Sequence, residues 1–510
     1  MILNVKINKS RNESLKPIRS VILSDVFSCK YFLTPMIKYL PSMEQPLSRE
    51  KKFFSISPKV KEETKSFLKL AAPMFGSQVA LQLIGINSVI QSGNYSSEVL
   101  AGILMANGLY WPLMFGLGGV IFFVTPMVAQ LFGANKLKEI GPLVRQAMWL
   151  VIPIVLFIMI LLGQASKLLV FVGVEEGIIK HTDEYLSMFI FAIPPIMLSQ
   201  PLRSLSEGIT RPRPIMYINI GMLVMAVIGN YCFIYGNWGF PEMGARGAGL
   251  SAIIGTWTAL FTLIFYVWWS KNYKSTEFFS RFDWPSLRVI KDILRGGIPL
   301  GLSNFFEIGM FSGSTLILGS LGSQVVAAHG IALNIGGLLF MVPMSIGLAA
   351  AVRVGNKVGE QDFKGARYSS FYAVKFGCSL GLINSFLLLL FAELIVSSIF
   401  TDDQFVISQA VVLLMFAALF QVADAVAMCG MGSLRGYKDT FGPMLIVFVA
   451  YWIIGLPFGY SLAVTDTWAI TLGAAGMWSG MCIGLIIAAS CMLWRLNVTT
   501  NKYLVEKYES

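Results

Sequence analysis

Twelve stretches of the chain are apolar over about 20 residues, the length a helix needs to cross a bilayer core. They fall at 68–90, 101–130, 145–164, 184–204, 213–236, 247–270, 294–319, 325–352, 370–399, 406–432, 441–464 and 472–494. Polar clusters separate them. The pattern predicts an all-α integral membrane protein with twelve transmembrane helices. Pro73, Pro112, Pro126, Pro194, Pro195, Pro343 and Pro457 lie inside these runs. Within a bundle, proline is tolerated and marks bends.

The charges between the spans set an orientation. Connections after the even-numbered spans carry nineteen Lys and Arg, among them Lys136, Arg211, Lys271, Arg353 and Arg435. The alternate connections carry only three: Lys167, Lys180 and Arg246. By the positive-inside rule the first set is cytoplasmic, which places both termini in the cytoplasm of a multi-pass protein of the cell (inner) membrane. The outer connections are acidic instead, with Glu175, Glu176, Asp183, Asp402 and Asp403.

Composition agrees. The chain is 55% hydrophobic and 13% charged, against about a quarter charged in soluble domains. Its mean hydropathy is +0.68. The net charge of +11 lies beside apolar spans, so it calls for a lipid bilayer and for no nucleic acid. The six cysteines are scattered without a C-x-x-C pair, and the two histidines, His181 and His329, are far apart. No P-loop occurs, and no side chains form a nucleophile–base pattern. The chain is therefore expected to have no catalytic residues and no cofactor, and to act as a monomer.

Residues 1–65 are polar and basic. They are expected to form a disordered cytoplasmic extension, or else translation starts at Met36 or Met43. Beyond them the expected organisation is a first six-helix lobe at 66–270, a cytoplasmic linker at 271–293, a second lobe at 294–494 and a cytoplasmic tail at 495–510.

The two lobes follow from an internal repeat. VAQLFGANK at 128–136 resembles VGNKVGEQD at 354–362, with Gly133 opposite Gly359. SLSEGITRPRPIM at 204–216 resembles GSLRGYKDTFGPML at 432–445, with Gly208 opposite Gly436. GAGLSA at 247–252 resembles AAGMWSG at 474–480, with Gly249 opposite Gly476. The three matches fall at nearly one offset, 226 to 228 residues, which spans six helices, an even number, so both halves insert the same way. That is a parallel repeat, related by a two-fold axis along the membrane normal, which encloses a cleft and permits alternating access.

Charges inside spans are costly and mark function. Glu307 lies mid-span in GLSNFFEIGMFSG, with Ser303 and Ser314 on its helical face and Asn304 beside it. Asp424 lies mid-span in QVADAVAMCGMGSLRGYKD, with Gln421, Met428 and Met431 on its face. With no Lys or Arg in mid-span, neither acid has an evident ion-pair partner. Each is expected to take up a proton or a bound Na⁺. Asn334 and Tyr451 are further candidate neighbours. His329 is expected to be a satisfied histidine at the membrane interface.

FFEIGMF, VVAAHGIALNIGGLLFMVPMSIGLAAAVRVGNKVGEQD, DAVAMCGMGSLRGYKD and YWIIGLPFGY resemble the second half of multidrug and toxic compound extrusion (MATE) transporters of the NorM-like branch. PMVAQLFGA, LRSLSEGITRPRP and PEMGARGAG resemble the first half. The resemblance implies efflux of cationic, amphipathic small molecules in exchange for Na⁺ or H⁺, with Glu307 and Asp424 as the cation site. The same chemistry leaves two alternatives: a dedicated exporter of one natural product or siderophore, and a flippase for lipid-linked precursors. One departure matters. Many members carry an aspartate in the first helix; here Ser88 takes that position, preceded by Asn87, and the first span holds no acid at all.

Overall fold

The structure, a computed structural model, describes residues 58–172, 174–465 and 472–509. The expected extension up to residue 57, with Met36 and Met43, lies outside the described residues. All twelve helices are present: α1 (Pro58–Tyr95), α2 (Ser97–Gly133), α3 (Leu137–Phe171), α4 (Glu176–Gly208), α5 (Arg213–Phe233), α6 (Ala245–Trp269), α7 (Leu287–Gly319), α8 (Ser323–Gly359), α9 (Phe363–Ile399), α10 (Gln404–Gly436), α11 (Phe441–Ala463) and α12 (Ala474–Glu509). Among the described residues there is no strand. Eleven of the twelve are long and apolar enough to cross a membrane. The exception is α7, 33 residues long, whose serines, glycines, Asn304 and Glu307 dilute its apolar character.

Irregular turns sit where prolines remove backbone donors. α2 breaks at Phe123, next to the Phe122 carbonyl whose helical donor would be the nitrogen of Pro126. α4 narrows to a 3₁₀ turn at Ile190–Ala192, just before Pro194 and Pro195. α11 widens to a π-helical stretch at Phe448–Gly455, ahead of Pro457.

The helix ends reach beyond the apolar spans. Residues 58–65, expected to belong to the extension, form the first turns of α1. They are ordered by the other half of the chain. Arg353 of α8 donates to both carboxylate oxygens of Glu63, at 3.2 and 3.0 Å, and Ser369 of α9 donates to the same carboxylate. The Lys59 ammonium sits 4.1 Å from the centre of the Tyr368 ring. Likewise 495–509, expected to be a tail, continues α12. Its Arg495 pairs with Asp439 at 2.7 Å, and Tyr503 packs on Phe363 and Tyr437. The 271–293 linker contains one helical turn, Lys271–Lys274, then enters α7 at Leu287. It is tied to α3 by Arg145, which bonds Asp283 and the carbonyls of Glu277 and Phe278.

The repeat is visible as paired contacts. A Cβ on Gly133 would strike the carbonyl oxygen of Asn356, and a Cβ on Gly359 would strike the carbonyl oxygen of Gln130. Positions 130 and 133 are one repeat away from 356 and 359, so α2 and α8 cross by the same contact taken twice. Gly208 faces Val128 within the first half, as Gly436 faces Val354 within the second. The third match shifts by two residues from the sequence alignment. Gly247 lies against the Phe233 carbonyl, and its counterpart Gly476 against the Leu462 carbonyl, so Gly247 and not Gly249 pairs with Gly476.

The halves also meet where α2 crosses α7. Gly296 faces the Phe123 ring, Gly297 the Val120 carbonyl and Gly301 the Gly116 carbonyl. The Gly133, Gly359, Gly208, Gly436 and Gly296 contacts lie toward the end of the bundle that carries the Lys- and Arg-rich connections, called the basic end below; the Gly247 and Gly476 contacts lie at the other end. In the second half α10 is the central helix, packed by α8, α9 and α12 and buried at every residue from Ala423 to Gly436.

Candidate functional site

Glu307 enters the second half from α7, Asp424 from α10 and Tyr451 from the π-helical turn of α11. Such wide turns recur at functional sites, because they re-aim side chains. α11 is pinned to α7 beside the glutamate: the Trp452 indole donates to the Phe306 carbonyl at 2.9 Å, and the Phe306 and Phe448 rings stand 4.9 Å apart.

Glu307 is half-buried, while Asp424 and Tyr451 are 2% and 3% exposed. The carboxylates of Glu307 and Asp424 lie within electrostatic reach of each other, and the Tyr451 hydroxyl within reach of both. Asp424 Oδ2 is buried with no hydrogen-bond partner in the structure. A buried acceptor left open in this way is costly, and a proton or a cation removes the cost.

A positive charge stands nearer than the sequence led us to expect. Arg435, counted above with the connection charges, lies in the last turn of α10, 8% exposed, and its charge reaches Glu307. Its Nε has no hydrogen-bond partner. The signal was present in the sequence: Arg435 follows Asp424 by eleven residues, three turns along the same face.

The other candidates are distributed as follows. Ser303 is buried, and its hydroxyl donates to the Pro299 carbonyl at 2.9 Å, within its own helix. The Asn304 amide packs against Gly119 of α2, on the seam between halves. Gln421 is fully buried; its amide nitrogen donates to the Gly336 carbonyl at 3.4 Å and its oxygen is open. Met428 is buried where α10 crosses Gly347. Asn334 is exposed and bonds the Gly330 carbonyl at 2.8 Å.

In the first half, Ser88 accepts from Asn230 at 3.1 Å, and Asn87 accepts from Gln91 at 2.8 Å. The Asn87 nitrogen, the Gln91 oxygen and the Ser92 hydroxyl remain open. This cluster is polar but carries no charge.

His329 lies two turns into α8 and is buried within the protein, at 0% exposure. The Trp478 indole can only donate, and it points at His329 Nδ1 at 3.0 Å. Nδ1 is therefore the unprotonated acceptor of a neutral ring. Nε2, carrying the hydrogen, faces the Thr315 hydroxyl at 3.1 Å. Among the described residues no group of three or more His, Cys, Asp or Glu could hold a metal ion.

Two six-helix halves in parallel repeat, with paired acids in the interior of one half, define the architecture of a polytopic secondary transporter. The MatE family model matches the chain twice, at residues 73–232 and 299–461, once in each half. The chain belongs to the MatE family. It is 37% identical over 439 residues to the multidrug resistance protein NorM of Vibrio cholerae, covering 86% of this chain and 95% of that protein. It is 34% identical over 447 residues to the multidrug resistance protein PmpM of Pseudomonas aeruginosa, covering 88% and 94%. The fold superposes on the crystal structure of the eukaryotic MATE transporter AtDTX14 with a TM-score of 0.78 at 17% identity, covering 87% of this chain and 98% of that one. It also superposes on an outward-facing multidrug resistance MATE transporter with a TM-score of 0.79 at 18% identity, covering 89% and 99%.

Proposed function

We propose that the chain is a multidrug efflux antiporter that exchanges Na⁺ or H⁺ for cationic, amphipathic organic compounds, with Glu307 and Asp424 as the coupling site. The observation that carries this reading is the buried Asp424 Oδ2 left without a hydrogen-bond partner, in a site where the charges of Glu307 and Asp424 act on each other. Two nearby carboxylates repel when both are charged, so binding one proton or one Na⁺ relieves the site. The oxygens of Glu307, Asp424 and Tyr451 are hard donors, the kind Na⁺ accepts. The relatives named multidrug resistance proteins support the substrate class.

The basic end is taken as cytoplasmic, by the charge of its connections. The Gly133 and Gly359 crossing and the Glu63–Arg353 pair then hold the two halves together on the cytoplasmic side. Coupling requires that cation and drug favour different states, since a ligand bound equally in both shifts nothing. Cation entry at Glu307 and Asp424 would favour the outward-open state and expel drug.

The test is efflux of a fluorescent organic cation from proteoliposomes under a Na⁺ gradient or a H⁺ gradient imposed separately. One gradient is expected to drive wild-type efflux. Glu307→Gln and Asp424→Asn, each correctly folded by thermal melt, are expected to abolish it. Wild-type rates in either variant would remove that residue from the site.

A further inference from the structure

A second feature lies outside the acidic site. A groove of about 1110 Å³ is formed by α5, α6, the turn before α5 and one residue of α1. None of its lining residues belongs to the second half, so it lies apart from the Glu307–Asp424 site. The α5 residues in the groove include Gly221, on the opposite side of the helix from Asn219, which is buried against Ser77 of α1. The groove therefore opens on the outer, lipid-facing surface of the first half.

Its two ends differ in chemistry. At the basic end stand Lys69, Arg211 and Arg213, all exposed. None of the three forms an ion pair among the described residues. Arg145, Arg203, Arg353 and Arg495, by contrast, are each held by a carboxylate. Tyr217 and Tyr266 flank the mouth, as tyrosines do at headgroup level. Deeper in, the lining is mostly apolar, with Met222, Val224, Met225 and Ala259 beside Thr258, and the Thr262 hydroxyl is taken up by the Thr258 carbonyl. Gly221 leaves the floor open: a Cβ there would meet nothing within 4 Å. From Arg213 to Met225 the groove runs about 18 Å along α5, close to the depth of one leaflet of a core about 30 Å thick.

We infer that this groove is a binding site for one anionic phospholipid, its headgroup held by Lys69, Arg211 and Arg213 and an acyl chain lying between α5 and α6. Three unpaired cations at headgroup level complement a phosphodiester with a further negative charge, and a single-leaflet apolar trough complements the chain. A free phosphate would use the mouth and leave the trough unfilled. The inference holds whichever ion drives transport.

The experiment is native mass spectrometry of the full chain in detergent, titrated with phosphatidylglycerol, phosphatidylcholine or inorganic phosphate. Wild type is expected to bind phosphatidylglycerol more tightly than phosphatidylcholine, by about fivefold for each cation engaged. The Lys69→Gln/Arg211→Gln/Arg213→Gln variant is expected to lose that preference, and Arg211→Lys/Arg213→Lys to keep it. Gly221→Phe, which fills the trough and leaves the cations, is expected to weaken both lipids. Equal binding of the two lipids by wild type would overturn the proposal. So would a preference unchanged in the Gln variant, or inorganic phosphate displacing phosphatidylglycerol as well as the lipid itself does. If the Gln variant does not fold, the lysine and Gly221 variants decide alone: loss of preference in the first, or unchanged lipid binding in the second, rejects the site.

Discussion

At the scale of single residues, the buried polar groups divide into those with partners and those without. His329 has both ring nitrogens engaged, by Trp478 and Thr315. Charging the ring would add a hydrogen at Nδ1, directly facing the indole N–H. His329 thus belongs to the framework of α7, α8 and α12. Trp478→Phe should cost about 1–3 kcal/mol by leaving a buried acceptor open, read as a lower melting temperature. The pH profile of efflux should keep its shape in that variant. A profile that moves would make His329 part of the titrating machinery. Asp424 is the opposite case, open on one oxygen, and there the missing partner is the feature that calls for a ligand. Arg435 belongs between the two. Its charge acts on Glu307, so Arg435→Gln should change the ion concentration needed for half-maximal efflux while transport itself survives. An unchanged ion dependence would leave Arg435 a structural residue of α10.

At the scale of elements, α1 shows what the sequence conveyed and what it withheld. Its apolar run identified the helix, as the runs of the other helices did and even the diluted run of α7, because crossing a bilayer core demands a long, mostly apolar stretch. The polar first turn was invisible to that criterion, because its order comes from Arg353, Ser369 and Tyr368, about 300 residues away in sequence. The same holds for α12 beyond residue 494, held by Asp439 and by the Tyr437 ring. Of the candidate site, Glu307 and Asp424 stood out because a lone acid in an apolar run needs no structure to be noticed. Arg435 did not, since a charge near a span end is ordinarily taken for a topological signal, and only packing reveals that it is buried. The π-helical turn around Tyr451 leaves no mark in the hydrophobic pattern. The Glu63–Arg353 pair then gives an element-level prediction. Glu63→Gln strands a partly buried guanidinium and should cost about 3 kcal/mol, whereas Glu63→Gln with Arg353→Gln should cost less than the two single changes added together. A thermal-melt double-mutant cycle reads the coupling, and additive losses would mean the pair contributes nothing to closing the basic end.

At the scale of the whole molecule, the repeat makes a prediction that neither half makes alone. Gly133 against the Asn356 carbonyl and Gly359 against the Gln130 carbonyl are one contact seen from its two sides. The ion pair has no such twin: one repeat away from Glu63 and Arg353 stand Val289 and Met127. The basic end is therefore closed by a symmetric glycine crossing and an asymmetric salt link. A methyl group on either glycine would have to displace a carbonyl of the opposing helix, and the only relief is for α2 and α8 to separate. Gly133→Ala and Gly359→Ala should thus open the basic end by similar amounts. The double variant should open it little further, because once the helices part the second methyl meets nothing. Spin labels at Lys136→Cys and Lys364→Cys, both exposed positions at this end, report the separation by pulsed dipolar spectroscopy in a background without the native cysteines. Each single variant should shift the distance distribution to longer values. A shift in one variant only would show that the two crossings are not equivalent, and that the two-fold repeat legible in the sequence does not extend to the energetics of closure.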